Sequence, residues 1–338
     1  MFTRMRWSGL LFCAVAGLCL LAWSTGLRGG DRTAEAETIL AKATDLLDLR
    51  GTDGAPFLLK AEVRLTEGAK SVDGVFAVSW AAPDRFRRVI GFPDYKETDV
   101  ARGENYYSKR NTEGIPLMIW QLGGLMDSLE LRKELPAGSK VRRVENESVA
   151  GKEATCIWTG PGKGDFKICV YAATYELASI DAGLDGPPQT QRRYEYGDYQ
   201  EFRAKKYPRH LAFSGWDKRA IEVKVEKMIP VHEFAADEFA PPAGAVISKL
   251  CNGTEELKGH PEPLSGARIP VGFDDLDMDI YFEITPIGAV RSAQIVYSSD
   301  PKSNKEILSW FLGTSFPIKT CDGRPIGYQT LYHFGDRR

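Results

Sequence analysis

The stretch Leu59-Lys60-Ala61-Glu62-Val63-Arg64-Leu65 alternates apolar and charged residues without a break. Successive side chains of a β-strand point to opposite faces, so this pattern predicts a half-buried strand with one wet face, as in an antiparallel sheet. The same kind of run recurs at Val75–Trp80 and Arg85–Ile90, separated by Ala81-Ala82-Pro83-Asp84, and at Glu104–Lys109. It returns at Val141–Glu147, Glu153–Thr159, Phe166–Tyr171 and Glu176–Asp181, with Gly151 and Gly160–Gly164 marking turns. Gln191–Glu201 and Pro208–Ser214 follow, and Ile221, Val223 and Val225 alternate with Glu222, Lys224 and Glu226 to close the series. A meander of this length predicts one large curved antiparallel sheet in an α+β fold.

Two helices accompany it. From Thr33 to Leu49, Ile39, Leu40, Ala43, Leu46 and Leu47 share one helical face. Thr33 reads as a candidate N-cap, Glu35 and Glu37 suit the positive end of the helix dipole, and Gly51 follows the end. Ile115–Leu131 (IPLMIWQLGGLMDSLEL) is apolar over most of its length and reads as a second helix despite Gly123-Gly124. It either packs flat on the sheet or acts as a lid over a cavity, hinged at the glycine pair.

Phe239-Ala240-Pro241-Pro242-Ala243-Gly244 ends the meander, and residues 246–270 read as a linker. Beyond it the pattern changes. Met278–Ile284 and Ala289–Tyr297 flank the turn Thr285-Pro286-Ile287-Gly288, Lys302–Leu312 reads as a helix, and Pro325–Phe334 as a last strand. Residues 271–334 therefore read as a small strand-strand-helix-strand domain after a sheet domain over 34–245. Two domains agree with a length of 338 residues.

The N-terminus carries Arg4 and Arg6 and then no charge from Trp7 to Leu27, the pattern of an export signal. Two readings stay open for residues 1–30: a cleaved signal peptide, or an uncleaved signal-anchor in which residues 7–27 span the inner membrane. Both place the remainder outside the cytoplasm. Cysteine usage agrees, since Cys156, Cys169, Cys251 and Cys321 form an even set suited to disulfides in an oxidising compartment. If Glu153–Thr159 and Phe166–Tyr171 form a hairpin, Cys156 and Cys169 fall opposite each other, which leaves Cys251 with Cys321.

Composition excludes several classes. Lys+Arg (44) and Asp+Glu (46) nearly cancel, which argues against a general polyanion binder. Arg192, Arg193, Arg203, Lys205, Lys206 and Arg209 interleave with Tyr194, Tyr196, Tyr199, Phe202 and Tyr207, but strand alternation accounts for this, and no nucleic-acid partner is expected. The four histidines, His210, His232, His260 and His333, are scattered, no Cys-x-x-Cys exists, and no catalytic motif is present. Asp275-x-Asp277-x-Asp279 begins like a calcium loop, but Ile280 and Pro286 stand where Gly and Glu are needed. The aspartates, with Asp274, are expected on a solvated strand edge. No enzyme, metal or cofactor is expected.

Several motifs recur in a familiar order. Gly74-Val75-Phe76-Ala77-Val78-Ser79-Trp80, Ala82-Pro83-Asp84-Arg85-Phe86-Arg87, Val100-Ala101-Arg102-Gly103-Glu104-Asn105-Tyr106-Tyr107 and Asp237-Glu238-Phe239-Ala240-Pro241-Pro242-Ala243-Gly244 follow a leading helix. Over about 34–245 the chain thereby resembles the LolA/LolB-like family, the periplasmic carriers and outer-membrane receptors of lipoproteins. The resemblance implies an unclosed half-barrel whose helices cover an apolar cavity for acyl chains. Over about 270–334, Asp279-Ile280-Tyr281-Phe282-Glu283-Ile284 with Gly288-Ala289-Val290, then Val296-Tyr297-Ser298-Ser299, Trp310, Phe316-Pro317 and Asp322-Gly323-Arg324-Pro325-Ile326 resemble the TonB C-terminal domain, which implies protein docking.

The expected function is non-enzymatic binding of lipid or lipoprotein acyl chains in a cavity lined by Trp80, Phe86, Tyr106 and Trp120, with the C-terminal domain docking an envelope protein. The alternative is a TonB-like interaction or energy-transduction protein whose sheet domain is a spacer.

Overall fold

The structure, a computed structural model, describes residues 29–50, 54–127, 140–160, 166–184, 191–215, 218–251, 255–257 and 276–334. The export or anchor segment, with residues 7–27, lies outside the described residues, and among those described no helix is long and apolar enough to cross a membrane.

Among the described residues the large sheet has 13 strands. The first five are β1 (Phe57–Glu67), β2 (Lys70–Ala82), β3 (Arg85–Gly91), β4 (Lys96–Arg102) and β5 (Asn105–Arg110). After a helix come β6 (Lys140–Val149), β7 (Lys152–Gly160), β8 (Phe166–Tyr171), β9 (Leu177–Ala182), β10 (Arg192–Phe202), β11 (Lys205–Gly215) and β12 (Arg219–Pro230), and then β13 (Val246–Lys249). Their order is β13-β5-β4-β3-β2-β1-β12-β11-β10-β9-β8-β7-β6. Pairing is antiparallel throughout, and the sheet stays unclosed, with β13 and β6 at its ends. The alternation in β1 does what its pattern demands: Phe57, Leu59, Ala61 and Val63 are buried, while Lys60, Glu62 and Arg64 are exposed. Its partner β12 repeats this with Ile221, Val223 and Val225 inside.

Two helices fill the hollow of the sheet. Helix α1 (Gly29–Leu47) begins four residues before the expected start and presents Ala36, Leu40, Ala43 and Leu47, all at most 1% exposed, along one stripe against β6 and β11. Arg32 near its start donates to the Arg142 carbonyl of β6. Helix α2 (Leu117–Asp127) starts after Pro116, a residue suited to a helix start because it has no N–H to leave unpaired, and buries Leu117, Ile119, Leu122, Leu125 and Met126. Residues 128–131 of the expected second helix lie outside the described residues.

The C-terminal unit comprises β14 (Glu255–Leu257), β15 (Met278–Ile284), β16 (Val290–Ser298), a 3-10 turn at Pro301–Ser303, α3 (Asn304–Leu312), β17 (Lys319–Cys321), β18 (Arg324–Ile326) and β19 (Tyr328–Phe334). It forms two three-stranded sheets, β16-β15-β19 and β14-β17-β18. The expected last strand is split at Gly327, where an added Cβ would meet the Ile284 carbonyl oxygen at 3.0 Å. A separate apolar core lies here, with Phe282 4.6 Å from Phe316 and 5.4 Å from Phe311. Within the stretch read as a linker, residues 246–249 form β13 and 255–257 form β14, while 258–270 lie outside the described residues.

Asp279 corrects the solvated-edge expectation, being fully buried. It sits in the central strand β15, whose every residue is buried, and shares a face with Tyr281, which packs on Trp120 of α2, and Glu283, which pairs with Arg110 of β5. Asp274 and Asp275 lie outside the described residues.

Both disulfides pair as read from the sequence. Cys156 and Cys169 are directly opposed in register on β7 and β8, with Cα atoms 4.0 Å apart. Cys251 and Cys321, with Cα atoms 5.9 Å apart, tie the chain just after β13 to β17.

Candidate functional site

The hollow face of the sheet follows from register. Phe57 opposes Trp80, Trp80 opposes Phe86, Phe86 opposes Ala101, and Ala101 opposes Tyr106, so these residues form one row across β1 to β5. Ring centroids lie 6.4 Å apart for Phe57–Trp80, 5.5 Å for Trp80–Phe86 and 6.3 Å for Phe86–Tyr106. The last two rings meet across Ala101, which interposes only a methyl group. Phe202 at the end of β10 comes edge-on to Phe57 at 6.1 Å. Three strand spacings would put these positions about 14 Å apart on a flat sheet, so the sheet must curl to bring the rings together. Arg50 lies over the Trp80 ring at 5.4 Å and reaches Asp127 at the end of α2 at 3.8 Å. The indole Nε1 of Trp80 is buried and has no hydrogen-bond partner among the described residues.

The neighbouring rows change character at β3. Val78 opposes Arg88, which opposes Asp99, then Ser108, then Val246. Phe76 opposes Ile90, which opposes Glu97, then Arg110. The hollow is therefore apolar over β1, β2, β11 and β12 and charged over β3 to β5. Asp99, fully buried, accepts from Arg88 Nη2 at 2.7 Å and Nε at 3.1 Å. Tyr95 donates to Glu97 Oε2 at 2.9 Å. Arg110 reaches Glu283 of the C-terminal unit at 3.3 Å, and Arg291 shares that carboxylate at 3.1 Å. Burial alone would lower the Arg88 pKa, but Tyr106 and Asp99 beside it hold it well above the ordinary value. Burial also pushes the Tyr106 hydroxyl up.

Glu97 gives a pH test of this polar half. Burial first, and the charge of Asp99 second, hold its carboxyl above the ordinary range. Below the unfolded value of about 4.3 it is protonated in both states. As pH rises, the unfolded chain ionises first, so the native state loses stability until the raised folded pKa is passed. Urea melts of wild type and Glu97→Gln are therefore expected to be closest in acid, with the variant gaining relative stability towards neutral pH. A difference independent of pH would contradict this.

Trp80, Phe86 and Tyr106 thus lie together on the aromatic row. Trp120, on α2, meets Tyr281 of the C-terminal unit, with ring centroids 5.2 Å apart. The charged half, Arg88, Glu97, Asp99 and Arg110, has no local sequence signal, since β4 carries acids at its inward positions. Among the described residues, no group of three or more His, Cys, Asp or Glu could hold a metal ion.

No protein-family model matches the sequence, and no curated protein matches it significantly. Among solved structures, the chain is similar to a Vibrio parahaemolyticus domain described as an outer-membrane lipoprotein-sorting protein, at 10% identity, covering 61% of this chain and 97% of that chain with a TM-score of 0.42. It is similar to a LolA-superfamily protein from Nitrosomonas europaea at 10% identity, covering 60% of this chain and 96% of that one with a TM-score of 0.39. The MucA/MucB complex of Pseudomonas aeruginosa is similar at 12% identity, with 76% of this chain and 83% of that one covered and a TM-score of 0.23.

Proposed function

We propose that this chain binds acyl chains of a lipid or lipoprotein in the hollow of its large sheet, on the periplasmic side of a bacterial envelope, and carries out no catalytic step. The observation that carries this reading is the aromatic row Phe57–Trp80–Phe86–Tyr106 on the inner face of an unclosed sheet whose hollow is filled by α1 and α2. The unpartnered indole N–H of Trp80 fits it too, because a ligand carbonyl would relieve a buried donor that costs about 1–3 kcal/mol. Two disulfides suit an oxidising compartment.

Helix α2 is the segment that gives way. Displacing it unburies Leu117, Ile119, Leu122, Leu125 and Met126, at about 1.5–3 kcal/mol each. An acyl chain of about sixteen carbons regains about 12 kcal/mol at ~0.8 kcal/mol per methylene, so the ligand must be long-chained. The C-terminal unit docks a partner protein in this reading, with Ile287 (81% exposed) and Ile318 (41% exposed) offering apolar contact.

The glycine pair supplies the test. A Cβ at Gly123 or Gly124 would meet nothing within 4 Å, so packing does not require glycine at either position. Gly123→Ala with Gly124→Ala is expected to stabilise α2 by about 1–2 kcal/mol in total and so raise the melting temperature. The same change is expected to weaken binding of a fluorescent long-chain fatty acid. A stabilised variant that binds as wild type does would contradict the lid role.

A further inference from the structure

Where the hollow turns polar it opens into a cleft of about 980 Å³ between β3–β5, β13 and the C-terminal unit. Its wall includes Arg88, Arg110, Lys249, Arg291 and Arg324. Arg88 is answered by Asp99 and Lys249 by Glu104, but Arg110 and Arg291 share the single carboxylate of Glu283. The Arg324 side chain is exposed and has no ion-pair or hydrogen-bond partner among the described residues. Glu97 and Glu113 are the acids of the wall, and Glu97 is held towards its neutral form by burial and by Asp99. On the wall itself five cations stand against two acids, so positive charge is in excess there.

The cleft is continuous with the aromatic row. Tyr106 belongs to both, its ring 6.3 Å from Phe86 and its side chain in the wall of the cleft. An amphiphile whose chain follows the row would thus deliver its polar end among the arginines. We propose that this cleft takes the anionic headgroup of the acyl ligand, with phosphate as the fitting chemistry. The inference rests on the acyl-binding reading and narrows it to anionic long-chain lipids. Guanidinium groups suit phosphate because their planar forks donate two parallel hydrogen bonds.

Two lipids separate the terms. Oleoyl lysophosphatidylglycerol and mono-oleoylglycerol share the same chain and a glycerol, and only the first carries a phosphate. The full chain is expected to bind the phosphate lipid at least about tenfold more tightly, a difference of about 1.4 kcal/mol. In Arg324→Glu, and separately in Ser248→Glu on the exposed edge strand, that ratio is expected to fall towards one. Equal affinities in the wild type would overturn the headgroup assignment while leaving the acyl reading intact. Failure of both lipids to bind would overturn the acyl reading and this inference with it. Inorganic phosphate binding as tightly as the lysolipid would make the cleft a free-anion site and would also overturn the assignment.

Discussion

Trp80→Asp is expected to abolish acyl-chain binding and to destabilise the large sheet by about 3–5 kcal/mol. Trp80 is 7% exposed and stacks between Phe57 and Phe86, so its loss opens a void in the middle of the aromatic row. A carboxylate there would be desolvated, although the Arg50 guanidinium lies over the indole ring it replaces. The C-terminal unit has a separate core around Phe282, Phe311 and Phe316, so its aromatic resonances are expected to persist when the large sheet loosens. Trp80→Phe keeps an aromatic side chain in the row and is expected to retain binding, which separates loss of the site from loss of the fold. Titration with a fluorescent fatty acid and urea melts read both quantities. Wild-type affinity in Trp80→Asp would remove the row from the site.

Removing the Cys251–Cys321 bridge, by changing both residues to Ser, is expected to cost about 4 kcal/mol. The bridge spans 70 residues, and closing a loop of that length lowers the entropy of the unfolded chain by that amount. The Cys156–Cys169 bridge spans 13 residues, for which the same reasoning gives about 3 kcal/mol. The two differ in what they secure. Cys156 and Cys169 staple neighbouring strands already held by ladder hydrogen bonds, whereas Cys251 and Cys321 join the edge of the large sheet to the C-terminal unit beside the charged cleft. Loss of the second bridge is therefore also expected to weaken the preference for the phosphate lipid. Urea melts of the double variant shifted by less than about 1 kcal/mol would contradict the loop-entropy account.

What the sequence made legible follows from which interactions are local. The strand β1 announced itself because its outer face is wet, leaving Lys60, Glu62 and Arg64 between apolar residues. The hairpin register alone placed Cys156 opposite Cys169. Strand β4 stayed hidden because Glu97 and Asp99 occupy inward positions and are answered by Tyr95 and by Arg88 on the neighbouring strand. A polar run of that kind carries no apolar period to read. Strand β13 was hidden differently: all four of its residues are exposed, and only backbone pairing with β5 defines it. Trp80, Phe86 and Tyr106 could be grouped because β2, β3 and β5 lie close in sequence, with only β4 between the last two. The partner of Trp120 could not be found, because Tyr281 is brought to it by contact with the C-terminal unit. Asp279 misled for a related reason, since alternating aspartates look like a wet edge until a second layer covers that face.

The central claim, that the hollow of the large sheet holds acyl chains, is tested most directly by extracting the purified full chain with organic solvent and quantifying acyl lipid by mass spectrometry. The account predicts acyl lipid approaching one molecule per chain, depleted in Trp80→Asp. A lipid-free extract, together with no binding of a fluorescent long-chain fatty acid by the same preparation, would contradict it.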